Sequence, residues 1–242
     1  MHSYAIGDIH GHLDLLRAAH DRIADDQARH GPGQVVHLGD LVDRGPDCRG
    51  VVDWLMAGIA GGQDWVVLKG NHDRMCSLFL AAPPAQDPRL RGDLSWLHPR
   101  IGGAETLASY GVRSAADRPV AAVHADAVVA VPQAHRDFLA GLPVWHRANG
   151  CLFVHAGIRP GVPLAEQTED DLLWIRDIFL DDPRDHGALV VHGHTAIDRP
   201  THYGNRLNLD SGAAYGGPLS VVVIEGGRVF HLTDRGRQPL EP

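Results

Sequence analysis

Cysteine is scarce in this 242-residue chain: Cys48, Cys76 and Cys151 stand far apart, with no C-x-x-C pair. That spacing points to neither a disulfide framework nor a zinc–thiolate site, and it suits a reducing compartment. Positive charge is also in deficit. Lys and Arg number 22 against 30 Asp and Glu, a formal net charge of −8, so no broad basic surface for nucleic acid or an anionic membrane is expected. A local positive site stays open. No apolar run approaches the roughly 18 residues of a membrane-spanning helix, and the opening MHSYAIGDIHG lacks the cationic stretch and apolar core of an export signal. The expectation is a cytoplasmic protein with no nucleic-acid or membrane partner; the oligomeric state is left open. Internal repeats, low-complexity tracts and a Gly-, Ser- or Pro-rich linker are missing too, which favours one domain over residues 1–242.

What is present alternates. In the first third, short apolar runs at Tyr4 to Ile6, Val35 to Leu38 and Val66 to Leu68 read as strands. Between them, Leu13 to Ala28 and Asp47 to Ile59 carry apolar residues at helical spacing, and Asn71 to Leu80 opens a third helix. This is the βαβ pattern of an α/β fold. From about residue 83 to 145 the strand signal fades and helix-compatible pieces appear at Ala104 to Tyr110 and Gln133 to Leu142, as in a helical insertion. Strands return at Cys151 to His155, Leu189 to His192, Arg206 to Leu209, Ser220 to Ile224 and Val229 to Leu232. The last two are joined by the turn Glu225-Gly226-Gly227.

Histidine is abundant, at 17 residues, and it is the commonest side chain for binding transition metals. A lone histidine is ordinarily a surface or hydrogen-bonded core residue, and His20, His30, His98, His135 and His186 are read so. Others sit in five short motifs that follow predicted strands: GDIHG at Gly7 to Gly11, GDLVDRG at Gly39 to Gly45, GNHD at Gly70 to Asp73, VHAG at Val154 to Gly157 and GHT at Gly193 to Thr195. Loops after the strands of an open α/β sheet converge on one crevice. The motifs supply two aspartates, one asparagine and three histidines, a mixed oxygen and nitrogen set that suits manganese, iron or zinc and not calcium. Asp8 and His10 are two apart, so in extended backbone they point to one side and can chelate one ion. Asp40 offers a separate carboxylate that can bridge to a second.

In order and content these motifs resemble the phosphoprotein phosphatases among the calcineurin-like metallophosphoesterases, in particular the small bacterial and phage-lambda type serine/threonine phosphatases. The resemblance runs from Gly7 to about Gly217. It implies an α/β fold: a β-sandwich of two mixed sheets flanked by helices, with the active site at the C-terminal ends of strands. It implies two divalent metals, manganese first with iron or zinc as alternatives. Asp8, His10 and Asp40 would hold one ion, and Asp40, Asn71, His155 and His194 the other. His72 would be the general acid, supported by Asp43, while Arg44 and Arg176 would bind phosphate and Tyr215 would line the cleft. The implied reaction is hydrolysis of a phosphoprotein or small phosphoester by a hydroxide bridging the metals, attacking phosphorus in line. A carboxylate beside His72 would fix its tautomer and raise its pKa, and an arginine fork suits phosphate oxygens.

Other readings of the same residues stay open. Asp and Asn after strands also serve as turn residues and helix caps. Arg176 could pair with Asp170, Asp171 or Asp177 on a helix surface, and Tyr215 could simply pack. His192 has ligand-like spacing to His194 but falls outside the motif. Relatives often end the last motif as G-H-x-H; here that position is Ala196, which leaves the first ion fewer protein ligands. A diadenosine tetraphosphatase-like pyrophosphohydrolase shares several motifs, but Asp43 in GDLVDRG favours the phosphatase form.

Overall fold

A computed structural model describes residues 2–242. In chain order its elements are β1 (His2–Ile6), α1 (Leu13–His30), β2 (Gln34–His37), α2 (Cys48–Ala60), β3 (Trp65–Val67) and α3 (Asn71–Phe79). Then come α4 (Gly103–Ser109), α5 (Val120–Ala130), α6 (Gln133–Gly141), β4 (Trp145–Ala148), β5 (Cys151–Val154), α7 (Glu169–Trp174) and α8 (Asp177–Leu180). The chain closes with β6 (Leu189–His192), β7 (Thr201–His202), β8 (Arg206–Asn208), β9 (Val221–Glu225), β10 (Arg228–Thr233) and β11 (Gly236–Pro239).

These strands form two mixed sheets. The first has the order β11-β10-β9-β1-β2-β3 and the second β4-β5-β6-β8-β7. Strands β1, β2 and β3 run parallel, as do β5, β6 and β8, so each trio delivers its C-terminal ends to the same edge. Side-chain alternation along a strand divides β1 between two cores. Tyr4 and Ile6 pack with Leu16, Ile23, Val51 and Leu55 of α1 and α2, whereas Ala5 packs with Val36, Phe153, Val191, Leu207 and Val222 between the sheets. The outer face of the second sheet, through Leu152, Val154 and Val190, meets Leu172 of α7 and Phe179 of α8. The resulting helix–sheet–sheet–helix layering is the expected sandwich flanked by helices.

The helices end where local chemistry ends them. Asp47 precedes α2 and its Oδ1 accepts the Gly50 N–H at 2.8 Å, satisfying a first-turn donor. At α3, Asp73 accepts the Gly70 N–H on Oδ2 at 2.8 Å and the Leu41 N–H on Oδ1 at 2.9 Å. One buried carboxylate thereby caps the helix and ties it to the loop after β2.

Some elements carry no clear sequence signal. Helix α5 has apolar residues all around its circumference and buries Val123 and Ala127, so no amphipathic period marks it. Strand β4 alternates exposed and half-buried residues, and β7 is two residues long. Beyond the expected turn, where Gly226 and Gly227 both take positive φ, the meander gains one more strand, β11. From residue 80 to 102 the chain forms turns without helix or strand. No helix among the described residues is long and apolar enough to cross a membrane.

Phe153 is fully buried between the sheets. Phe153→Ala is predicted to cost about 3–5 kcal/mol through lost burial and the cavity left behind, measured from the urea unfolding midpoint; a cost below about 1 kcal/mol would show that this layer is not a packed core.

Candidate metal centre

Each of the five motifs places a donor just after a strand: Asp8 after β1, Asp40 after β2, Asn71 after β3, His155 after β5 and His194 after β6. Their side chains meet. Asp40 is nearly inaccessible, and its two oxygens face opposite ways: Oδ2 lies 3.3 Å from His10 Nε2, and Oδ1 lies 3.4 Å from His155 Nε2. Oδ1 also accepts the His72 backbone N–H at 3.0 Å. The close donor atoms fall into two groups, His10–Asp40–His72 and Asp40–His155–His194, sharing Asp40.

Several of these contacts set acceptor against acceptor. His155 Nδ1 is 2.9 Å from the Leu38 carbonyl oxygen, which only accepts, so Nδ1 carries the proton. Burial pushes this imidazole below the ordinary histidine range, outweighing Asp40. Its unprotonated Nε2 then points at Asn71 Oδ1 from 2.9 Å. His194 faces the same oxygen with Nδ1 at 2.8 Å, while its Nε2 is buried without a partner. His10 repeats the pattern, with Nδ1 on the Val42 carbonyl at 2.9 Å and Nε2 turned to Asp40. Asp8 belongs to neither group, but its Oδ2 accepts the His194 N–H at 3.0 Å and its Oδ1 is buried without a partner. Converging lone pairs in a dry pocket are unfavourable alone and become favourable around a cation. The residues therefore fit divalent metals.

The carboxyl groups carry the same signature. Burial pushes Asp8 well above the usual carboxylate range, helped by Asp210 and Asp40. Burial would raise Asp40 too, but His155, His72 and His10 outweigh it and hold this carboxyl well below that range. Glycine makes the crowding feasible. A Cβ on Gly70 would overlap Asp40 Oδ1, and one on Gly193 would overlap Asp8 Oδ1, so these glycines make room for carboxylates.

The expectation that Asp8 and His10 align along extended backbone meets a different local structure. His10 has φ of 46°, and Asp40, Asp43, Arg44 and His194 have φ of 50°, 72°, 69° and 65°. These five are among only seven non-glycine residues with positive φ among the described residues, a concentration of left-handed backbone typical of functional sites.

His72, expected as the acid and not as a metal ligand, falls within the first donor group, where the expected Asp8 does not. Its Nδ1 donates to Asp43 Oδ2 at 2.7 Å, and its Nε2 accepts from Arg44 Nη2 at 3.0 Å. Asp43 is fully enclosed and saturated: Trp96 Nε1 donates to Oδ2 at 2.9 Å and Thr106 Oγ1 to Oδ1 at 2.6 Å. Sequence reasoning expects the neighbouring carboxylate to raise His72; burial acts the other way and more strongly, and the net shift is downward despite Asp40 and Asp43. Arg44 also donates to His10 Nε2 at 3.1 Å, and its guanidinium lies 5.2 Å from the ring centre of Tyr215.

Asp8, His10, Asp40, Asn71, His72 and His194 open onto a cavity of about 450 Å³. Arg44, Arg176 and Tyr215 line it as well. Arg176 does not pair with Asp170, Asp171 or Asp177. It donates to Thr195 Oγ1 at 2.9 Å and to the His194 carbonyl at 3.4 Å, while Asp170 binds Arg74 and Asp171 binds Arg159. His192 points away, its ring edge-on to Phe179. Lining residues that escaped sequence reasoning include the polar or aromatic Arg89, Arg91, Trp174 and Asp210. Asp210 follows β8 as Asp8 follows β1, and that strand-end position was a usable signal. Burial pushes its carboxyl up.

The family model for calcineurin-like phosphoesterases matches residues 1–224, and the chain belongs to that family, whose members use divalent metals. It is 26% identical over 236 residues, 93% of this chain and 92% of the relative, to a Salmonella typhimurium protein named serine/threonine-protein phosphatase 1. It is also 31% identical over 182 residues to an uncharacterized protein of Schizosaccharomyces pombe, a match that spans 70% of this chain but only 47% of that one. Among solved structures, one provisionally described as a diadenosine tetraphosphatase shares the fold at TM-score 0.65 and 23% identity, over 99% of this chain and 94% of that one. A cold-active protein-tyrosine phosphatase of a psychrophile Shewanella species does so at TM-score 0.62 and 18% identity, over 99% and 80% of the two chains.

The saturation of Asp43 generates a prediction. Thr106→Val leaves a buried carboxylate oxygen and the Asp43 N–H unpaired, so the protein should lose about 1–3 kcal/mol of stability; an unchanged denaturation midpoint would show that the hydroxyl supports nothing.

Proposed function

We propose that this chain is a metal-dependent phosphomonoesterase of the phosphoprotein phosphatase type, removing phosphate from phosphoserine and phosphothreonine in proteins. One observation carries it: a single buried carboxylate, Asp40, presents one oxygen to each of two clusters of metal-binding side chains. Asp8, His10 and Asp40 would hold one cation, and Asp40, Asn71, His155 and His194 the second. Manganese is the first choice, with iron or zinc as substitutes for this oxygen and nitrogen donor set. When bound, two such cations acidify water at the site and offset the charge that builds on phosphorus oxygens.

The chain's own groups supply the rest. Arg44 and Arg176 flank the donor clusters and line the cavity, where their planar forks bind and orient non-bridging phosphate oxygens. His72 has its Nδ1 proton fixed on Asp43, which leaves Nε2 directed at the cavity through Arg44. Released from Arg44 and protonated from solvent to the imidazolium, that nitrogen would give its proton to the leaving alkoxide. Trp96 and Thr106 keep Asp43 from turning away.

The protein-phosphatase assignment draws support from Asp43, from GHT without a second histidine, and from the name of the Salmonella relative. Manganese-loaded protein is expected to turn over a phosphothreonine peptide with a kcat/KM at least about tenfold above that for diadenosine tetraphosphate, a margin of about 1.4 kcal/mol in the transition state. The reverse order would make the chain a nucleotide pyrophosphohydrolase.

A further inference from the structure

The turn segment between α3 and α4 also lines the cavity, through Arg89, Leu90, Arg91 and Leu94, and the proposed chemistry leaves these four unused. Asp87 in that segment is buried and holds Arg74 of α3 through two bonds, from Nε at 2.7 Å and Nη2 at 2.9 Å. Arg74 also reaches Asp170 of α7 at 2.8 Å. The Oδ1 of Asp87 accepts the backbone N–H of Arg89 at 2.9 Å. The loop that carries Arg89 is thus fastened by a buried ion pair to the helix that carries Asn71 and His72.

Arg89 itself has no such tie. Its side chain lines the cavity, and its guanidinium makes no hydrogen bond or ion pair among the described residues. Its neighbour Arg91 is occupied by Asp93, at 3.0 and 2.6 Å. The acid that the Arg89 charge acts on, Asp171, is gripped by Arg159 at 2.9 and 2.7 Å. Arg44 and Arg176, by contrast, each touch a residue of the donor clusters. An unpaired guanidinium on a fastened loop, lining the cavity without touching the donor clusters in a chain of net charge −8, is placed to meet an anion other than the reacting phosphate.

We infer that Arg89 is a specificity-determining residue that binds a second anionic group of the substrate, a carboxylate or phosphate next to the scissile phosphoester. The inference rests on the hydrolase reading for its turnover and not for its binding. It selects acidic phosphopeptides or polyphosphate chains over isolated phosphoesters, because each charge-assisted bond to the second anion adds to transition-state and ground-state binding alike.

The test compares the manganese-loaded wild-type protein with Arg89→Ala. The substrates are a phosphothreonine peptide flanked by glutamate, the same peptide flanked by glutamine, diadenosine tetraphosphate and 4-nitrophenyl phosphate. Binding of the two peptides is followed in parallel by fluorescence anisotropy. Wild type is expected to favour the glutamate peptide by about tenfold in kcat/KM and in affinity. Arg89→Ala should erase that preference while leaving 4-nitrophenyl phosphate turnover within about twofold. A loss confined to diadenosine tetraphosphate would assign the second anion to a polyphosphate. Equal loss on every substrate, or no change on any, overturns the inference. If wild type hydrolyses none of them yet the binding preference exists and vanishes in Arg89→Ala, the hydrolase reading falls and the inference stands; absence of both turnover and preference removes both.

Discussion

The site depends on the burial of one charged carboxylate. Asp40 is almost wholly removed from water, and an isolated ion so placed would cost many kcal/mol. Three histidines gather round it and the His72 backbone N–H donates to its Oδ1, and cations among these donors would hold it ionised. Its two oxygens divide the surrounding donors into two groups, and with that division the rest follows: the tautomers of His10 and His155, the room left by Gly70 and Gly193, and the acceptor-facing-acceptor contacts at Asn71. Cations that bind this arrangement and not the unfolded chain stabilise the fold by mass action, so assembly of the site and stability of the fold are linked.

Geometry of this kind is held against local preference. The left-handed backbone at His10, Asp40, Asp43, Arg44 and His194 is tolerated because both ends of each loop are fixed, by strands on one side and by helix starts or tight turns on the other. The two sheets contribute unequally. The first brings Asp8, Asp40 and Asn71, the second brings His155 and His194, and the shared layer around Phe153 sets the distance between them. Packing beneath the loops thereby positions the donors.

Much of this was legible in the residue order. Strand-then-glycine-then-polar motifs are local signals, and parallel strands carry such loops to one edge, so the convergence of the five motifs could be read before any coordinates, and the sandwich followed from the family they resemble. Supporting contacts could not. Trp96 and Thr106 hold Asp43 from 53 and 63 positions away, out of a segment with little periodicity, and nothing in their neighbours marks them. The placement of Arg89 depends on Asp87 and Arg74, which close a loop through tertiary structure. The direction of the His72 shift also escaped the motif, because adjacency to an aspartate is visible in a sequence whereas complete burial is not. Helix α5 was hidden for a simpler reason: an apolar circumference has no period to detect.

The most direct test of the account is anomalous diffraction from crystals grown with manganese. Two anomalous peaks, one beside each oxygen of Asp40, are the expected result. A single peak, or two peaks with the Asp40 carboxylate bound to only one of them, would contradict it.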